Sequence, residues 1–229
     1  MSFDIALVFD SIPKMLEGIG LTLELLFLST SIGLILAVIT LLMRISGRRF
    51  LAWPAMAYIY VFRGTPILVQ IFVIYYGLPQ FDLIRESIFW AILREPFGCM
   101  VVALSLNAGA YVSEILRGGL LGVDRGLHEA GKALGMSTPQ RFIYITTPIA
   151  VRLAIPAYSN DFISMLKATA LASTVTLLDM TGVARTIVAK TFAPYEIFIA
   201  AAMIYMVMTW FIQRGFGLFE RRMSRYVKP

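Results

Sequence analysis

The amino-acid sequence predicts an all-α integral membrane protein with about five transmembrane helices, folded as one domain over residues 1–229. Hydrophobic residues make up 59% of the chain and charged residues 15%, and the mean hydropathy is +0.78. Soluble domains are nearer half apolar and about a quarter charged. The apolar residues also fall into five segments of about 20 residues or more, the length that an α-helix needs to cross the hydrocarbon layer.

The five predicted spans differ in their regularity. They run over Ile19–Met43, Trp53–Leu78, Pro96–Leu116, a segment within Ile145–Leu178, and Ile197–Phe216. The third begins with a proline, which is tolerated in a first helical turn because its missing N–H would be unpaired there. The fourth contains two prolines and several polar side chains. We therefore expect it to have a broken backbone that is buried in protein or lines a watery cavity.

Residues 1–18 precede the first span, and no helix or strand is predicted for them. They carry three acidic residues, and no basic segment stands before a short apolar core. This composition does not fit a cleavable signal peptide.

Lysine and arginine residues are distributed unevenly between the two ends of the spans. Twelve follow spans one, three and five, and only five lie in the loops on the other side. The twelve are Arg44, Arg48, Arg49, Arg117, Arg125, Lys132, Arg141, Arg214, Arg221, Arg222, Arg225 and Lys228. The positive-inside rule places this side in the cytoplasm, with the N-terminus outside and the C-terminus inside. The same clustering at span ends argues against a nucleic-acid partner for the net charge of +6.

Enzyme sites find little support in the sequence. His128 is the only histidine and Cys99 the only cysteine, so a protein-built metal site has almost no ligands, and none is predicted. Residues 126–132 fit the first seven positions of a phosphate-binding loop. The eighth position is Ala133 instead of Ser or Thr, and no strand precedes the segment. We expect neither catalysis nor ATP binding by this chain.

A polar, helix-forming segment over residues 123–140 separates the third and fourth spans. Asp124 is suited to cap a first short helix, and Gly135 to end it in a left-handed conformation. Ser137 and Pro139 then fit the N-cap and the second position of another short helix. Two readings stay open from the residues alone: a docking surface for a partner, or an ordinary loop with incidental helices.

The pattern in and after this segment resembles the EAA loop of ATP-binding-cassette (ABC) importer permeases. Glu129-Ala130-Gly131 is followed after three residues by Gly135, after nine more by Ile145, and then by Thr147-Pro148. Gly131 stands where alanine is usual and Thr147 where leucine is usual, and the glycine should weaken the helix by about 1 kcal/mol. The resemblance implies that Glu129, Ala130, Gly131 and Gly135 couple the chain to a cytoplasmic ATPase.

The resemblance extends over nearly the whole chain. Matching segments are Gly20–Leu23, Phe62–Pro66 with Val69-Gln70, Asn107–Tyr111 with Ser113-Glu114, and Phe219–Arg222. Ile155–Asp161 and Val227–Pro229 look most like the M-type permease subunit of histidine/lysine/arginine/ornithine and opine importers. The resemblance implies a type I importer permease fold in a bacterial inner membrane. It also implies three partners: an ATPase dimer that binds ATP and Mg²⁺, a second and distinct permease, and an external binding protein. No cofactor is expected on this chain.

Polar residues at membrane depth are the candidates for the substrate pathway, because charges there are costly and usually functional. The resemblance implies that Asp161 faces a cationic substrate group, and the alternative is an internal pair with Lys167 or Arg63. Arg63 is a candidate for a substrate-carboxylate contact or, more simply, for a gate. Asn160, Gln70 and Thr169 are further pathway candidates. Glu114 should pair with Arg117, three residues later. A stand-alone secondary transporter or channel remains the alternative function.

Overall fold

The computed structural model describes residues 3–224, and every regular element in that range is helical. The α-helices are α1 (Ile5–Leu16), α2 (Ile19–Ile45), α3 (Arg49–Gly64), α4 (Ile67–Phe72), α5 (Asp82–Arg85), α6 (Trp90–Leu93), α7 (Pro96–Leu121), α8 (Arg125–Ala133), α9 (Thr138–Arg141), α10 (Thr147–Ala168), α11 (Met180–Thr191) and α12 (Pro194–Ser224). Arg225, Lys228 and the Val227–Pro229 motif lie outside the described residues.

The predicted spans are confirmed, with one of them sharply bent. Four helical stretches are long and apolar enough to cross a membrane, namely Ile19–Ile45, Pro96–Leu121, Thr138–Val175 and Pro194–Met223. A fifth span forms if Arg49–Gly64 and Ile67–Gln80 are taken together, and these two parts are bent by 108°. The bend lies at Thr65 and Pro66, between the end of α3 and the start of α4.

The fourth span corrects the expectation of a broken backbone. Its helix α10 runs through Pro156 without interruption. Prolines within membrane helices are tolerated where local adjustments satisfy the freed backbone groups. The irregular parts lie at the two ends: a π-helical turn over Phe142–Thr146 before α10 and a 3₁₀ segment over Thr169–Val175 after it. In the π turn the Thr147 hydroxyl donates to the carbonyl of Phe142 (2.8 Å).

The core is built around α2 and α7, which lie side by side and run in the same direction. Gly33 of α2 lies against Ser105, Ala108 and Gly109 of α7. Small residues at such a crossing let two membrane helices approach closely, so that van der Waals packing holds them together. Larger side chains fill the space around this contact, including Leu25, Leu26, Met100, Leu104 and Leu166, all fully buried.

The N-terminal helix α1 is an element that the sequence reading missed. Its 12 residues are too few to cross the membrane, and the Asp4 carboxylate caps it by accepting from the Leu7 N–H (3.1 Å). Val8 and Met15 pack against α11 and α12 in a second core cluster. The helix therefore covers the start of α12 instead of forming a span.

We expect Gly33→Ala to destabilise the protein by about 1–3 kcal/mol, because an added methyl would meet the Ala108 Cβ at 2.6 Å and overpacking costs this much. The matched control is Gly20→Ala on the same helix, where an added methyl meets nothing within 4 Å. The control should be neutral or slightly stabilising, since alanine is the better helix former. Thermal unfolding in detergent measures both, and equal effects of the two substitutions would contradict the packing argument.

Candidate functional site

The break between α3 and α4 is held by one buried side-chain amide. Thr65 is extended (φ −119°, ψ 147°), as expected for a residue before proline. The break leaves backbone carbonyls at the end of α3 without helical partners. The Gln70 side-chain nitrogen donates to the carbonyls of Phe62 (2.8 Å) and Thr65 (3.0 Å), and Asn107 donates to the Gln70 side-chain oxygen (2.9 Å). The bend is thereby tied to α7.

A cavity of about 530 Å³ lies beside this break, between α7 and α10. Its polar lining comes from three elements: Thr65 at the break, Asn107 and Tyr111 on α7, and Asn160, Asp161 and Ser164 on α10. The arrangement places one carboxylate among amides and hydroxyl groups. Such a cavity is suited to a small ligand that carries a cation and several hydrogen-bonding groups.

The Asp161 carboxylate makes no ion pair with another residue of the 3–224 range. Lys167 lies instead in a groove on the α12 side, lined by Ala170, Ala202, Tyr205, Met206 and Thr209. Arg63 points toward Glu114 and Tyr111. Neither of the internal pairs considered for Asp161 is formed, so its charge is free to face a ligand in the cavity.

The structure brings only two of the five pathway candidates into this cavity. Asn160 and Asp161 line it, whereas Gln70 is buried at the helix break and Thr169 is buried with its hydroxyl donating to the Leu166 carbonyl (2.6 Å). Arg63 lies next to the cavity, with its guanidinium 5.2 Å from the centre of the Tyr111 ring.

Four polar residues of the cavity lining are not among the pathway candidates from the sequence. They are Thr65, Asn107, Tyr111 and Ser164. Two of them were signalled by spacing, because Asn107 and Tyr111 are four residues apart and therefore share one face of α7.

The Glu114 carboxylate lies close to three arginines, one each from α2, α3 and α7. Glu114 pairs with Arg117 (2.8 Å), as predicted, and also with Arg44 and, more distantly, Arg63 (3.8 Å). The Glu114 side chain is 15% exposed, so removing it would leave three cations close together. The cluster connects the three helices, and its Arg63 also lies over the Tyr111 ring that lines the cavity.

The segment over residues 123–140 forms the predicted pair of short helices. The Asp124 carboxylate caps α8 by accepting from the Gly126 N–H (2.6 Å), and Gly135 follows α8 with a left-handed φ of +76°. Ser137 and Gln140 form a reciprocal capping box at the start of α9. Glu129 and Ala130 are exposed, and so is Leu134 at 82%. This surface is therefore free to meet a partner.

Close packing against Arg141 and Ile145 explains why residue 131 is a glycine. It is buried, and a methyl group there would approach the Ile145 Cδ1 to 2.7 Å and the Arg141 Cγ to 3.1 Å. The glycine lets the segment Arg141–Ile145 lie directly on α8. The two short helices are therefore packed against the base of α10 as one unit.

Metal ligation is not supported by the part of the chain that the structure describes. No group of three or more His, Cys, Asp and Glu residues in that part could hold a metal ion. His128 lies instead against Thr146, with its ring Nε2 3.5 Å from the threonine hydroxyl.

Comparison with known proteins identifies the family. Residues 12–225 match the family described as binding-protein-dependent transport system inner membrane component. The chain belongs to this family. The octopine transport system permease protein OccM of Rhizobium meliloti is 45% identical over 220 residues, which cover 96% of this chain and 90% of that protein. The histidine/lysine/arginine/ornithine transport system permease protein HisM of Escherichia coli (strain K12) is 39% identical over 93% of this chain and 90% of that protein.

A solved structure supports the same assignment. A chain in the crystal structure of an amino acid ABC transporter with histidines superposes on this permease with a TM-score of 0.86 and 37% identity. The match covers 97% of this chain and 100% of that chain. The fold is that of a type I ABC importer permease, as the sequence predicts.

We expect Gln70→Leu to destabilise the permease by about 1–3 kcal/mol, because it leaves the Thr65 carbonyl without its side-chain donor and leaves the Phe62 carbonyl and the Asn107 amide with only their long contact to each other (3.4 Å). Gln80→Leu is the control, since that amide donates to the Tyr76 carbonyl at an exposed site. It should change stability by less than about 0.5 kcal/mol. Thermal unfolding compares the two variants, and an unchanged midpoint for Gln70→Leu would mean that the break is held by other contacts.

Proposed function

We propose that this chain is the permease subunit of an ATP-driven importer that takes up cationic amino acids or opines delivered by an external binding protein. The observation that carries the proposal is the unpaired Asp161 carboxylate in a cavity of about 530 Å³ between two membrane-spanning helices. Family membership and the exposed two-helix loop support the transport mechanism. The relatives are named as transport proteins for octopine and for histidine/lysine/arginine/ornithine, and these cationic compounds agree in chemistry with that carboxylate.

Substrate recognition follows from the cavity's donors and acceptors. A carboxylate binds a guanidinium with two parallel hydrogen bonds, or an ammonium as a point charge. Asp161 would hold the cationic group of the substrate, and Asn160 the polar atoms beside it. Arg63 lies over the Tyr111 ring and would act on the cavity through that ring. Gln70 would shape the cavity through the helix break without touching the substrate.

A second permease is proposed to complete the pathway. Asn160, Ser164 and Lys167 lie at positions i, i+4 and i+7 of α10 and are all exposed in this chain. Such spacing places them on one helix face. A polar stripe of this kind is costly against lipid and is normally covered by protein or water. A distinct but related permease would supply the opposite wall.

The loop formed by α8 and α9 is proposed to transmit the state of a cytoplasmic ATPase dimer. It connects α7 to α10, the two helices that carry most of the cavity residues. A displacement of the loop would therefore change the distance or angle between the two walls of the cavity. ATP and Mg²⁺ would bind to the ATPases, and their closure would favour one of two arrangements of the permease pair. This chain would bind no cofactor.

The proposed location is the bacterial inner membrane, with the N-terminus outside and the C-terminus in the cytoplasm. Twelve lysines and arginines on one side support this orientation through the positive-inside rule. The same orientation puts the α8–α9 loop where an ATPase could reach it. A stand-alone secondary transporter would have no use for this loop, and the family assignment does not favour one.

We expect Asp161→Asn to reduce arginine uptake by the assembled transporter about 30-fold, because truncating a desolvated charge contact costs about 2 kcal/mol or more. Uptake of a neutral polar amino acid, if it is a substrate at all, should fall far less. Radiolabelled uptake into vesicles containing the whole transporter measures both.

Asp82→Asn is the matched control for that experiment, since Asp82 begins the short helix α5 and its side chain is 87% exposed. It should leave uptake unchanged. An equal loss of arginine and neutral amino-acid uptake in Asp161→Asn would exclude charge recognition by this carboxylate.

We expect Glu129→Gln to weaken capture of the ATPase when the tagged permease is purified, and to lower transport-coupled ATP hydrolysis severalfold. Glu129 is exposed on α8, so its substitution should leave the fold intact. Glu86→Gln, in the loop after α5, is the control of equal charge on the opposite side. Capture that is unaffected by Glu129→Gln and also by Gly135→Ala would contradict the proposed coupling surface.

A further inference from the structure

The outward face of α12 combines an apolar track with two arginines in line. Other exposed apolar residues of α12, such as Phe198, Phe211 and Phe219, lie on other sides of the helix. On this face the exposed apolar residues are Ile199, Met203, Met206, Val207 and Trp210. At about 100° per residue these five fall within roughly 50° of a common direction, and Arg214 and Arg221 continue the same line. The buried residues Ile197, Ala201 and Ile204 lie more than about 100° away from that direction. We call this line of exposed residues the α12 stripe.

The α12 stripe runs from the apolar part of the helix to the depth of the lipid headgroups. The predicted fifth span ends at Phe216, so Gly217 lies about 1.5 Å beyond that end and Arg221 about 8 Å beyond it along the axis, which is the depth of lipid headgroups. Arg214 lies in the last turn of the span, from which a long side chain reaches the interface. One leaflet is about half of the roughly 30 Å hydrocarbon thickness, or about ten residues of helix, so Met206, Val207 and Trp210 are the stripe residues beside the acyl chains of that leaflet.

A notch separates the two arginines. Trp210, Gln213, Arg214, Gly217, Leu218 and Arg221 line a space of about 250 Å³. A methyl group added at Gly217 would meet nothing within 4 Å, so the floor of the notch is open. The Arg214 guanidinium lies 5.3 Å from the centre of the Trp210 ring, a cation–π contact that holds it at the rim.

The charge of this notch is not compensated by an acidic side chain within residues 3–224. Neither Arg214 nor Arg221 has an acidic partner within 4 Å among residues 3–224. Glu220 points away, about 100° around the helix from Arg221. Guanidinium groups bind phosphate through paired hydrogen bonds. A lipid with an anionic headgroup would place its acyl chains along the apolar residues of the stripe and its phosphate beside the two arginines.

We propose that the α12 stripe is a binding site for an anionic phospholipid of the leaflet at the C-terminal end of α12. The acyl chains lie along Met206, Val207 and Trp210, and the phosphate sits over Gly217 between Arg214 and Arg221. The site is independent of the substrate cavity, which is lined by the break after α3 and by α7 and α10. It does not rest on the proposed substrate or orientation.

The test is a lipid titration of the purified full-length permease by native mass spectrometry, with dioleoyl phosphatidylglycerol and dioleoyl phosphatidylcholine as probes. One phosphatidylglycerol should bind more tightly than phosphatidylcholine. The double variant Arg214→Gln, Arg221→Gln should bind phosphatidylglycerol about 30-fold more weakly, at about fivefold for each arginine near the headgroups. Its affinity for phosphatidylcholine should not change.

Arg222→Gln is the matched control, since this arginine is adjacent in sequence but about 100° off the stripe. Its affinity for phosphatidylglycerol should stay within about twofold of the unmodified permease. A loss in Arg222→Gln as large as in the double variant would overturn the site, because the effect would then be one of net charge.

A second variant, Gly217→Leu, keeps both charges and fills the notch. It should weaken phosphatidylglycerol binding by about tenfold or more, and an unchanged affinity would overturn the placement of the phosphate. The alternative to a lipid on the α12 stripe is a neighbouring protein. In the assembled transporter, Gly217→Cys should form no crosslink to the second permease, and efficient crosslinking there would assign the stripe to a protein interface instead of a lipid.

Discussion

A backbone inside a membrane has no water to satisfy its N–H and C=O groups, and the bend between α3 and α4 exists only because side-chain amides replace that water. Gln70 donates to two carbonyls at the end of α3, and Asn107 secures Gln70 from α7. Leaving these groups unsatisfied would destabilise the bend, because no water in the hydrocarbon layer can take the place of the amides. The bend in turn brings Thr65 and Pro66 to the wall of the cavity. The geometry of the pathway is therefore set by residues that do not themselves line most of it.

The cost of leaving a polar group unsatisfied inside the membrane also governs where the permease carries charge. Glu114 satisfies three arginines where α2, α3 and α7 meet, so this part of the helix bundle carries cations that are paired. Asp161 is left unpaired next to an open cavity, and Arg214 and Arg221 are left unpaired at the end of an apolar track. The paired groups hold helices together, whereas the unpaired ones face spaces that a ligand could fill.

Local rules made much of this structure predictable from the sequence. The spans follow from hydropathy, and the ends of α8 and α9 follow from Asp124, Gly135 and Ser137, whose capping roles depend only on neighbours within a few residues. The resemblance to importer permeases also pointed to Asp161. What escaped prediction depends on distant contacts. Gln70 looked like a pathway residue because its partner Asn107 is 37 positions away.

The other misses have equally physical causes. Pro156 was read as a break, but a membrane helix can accommodate a proline when neighbours supply the missing contact. Helix α1 was missed because it is too short for a span and is stabilised by α11 and α12, which lie more than 160 residues further along the chain. Thr65 and Ser164 carried no distinguishing signal, since isolated hydroxyl residues are common on buried helix faces.

The π-helical turn over Phe142–Thr146 determines the direction in which the side chains of α10 face. A π-helical turn accommodates one more residue than an α-helical turn of the same height, so everything after it is rotated relative to α9 by about 100°. The polar face of α10 points where it does because of that surplus residue. Removing one residue from this turn would keep the composition and hydropathy of the fourth span but direct Asn160 and Asp161 elsewhere. The number of residues in this turn therefore sets the direction in which the α10 side chains face, as well as the length of the connection.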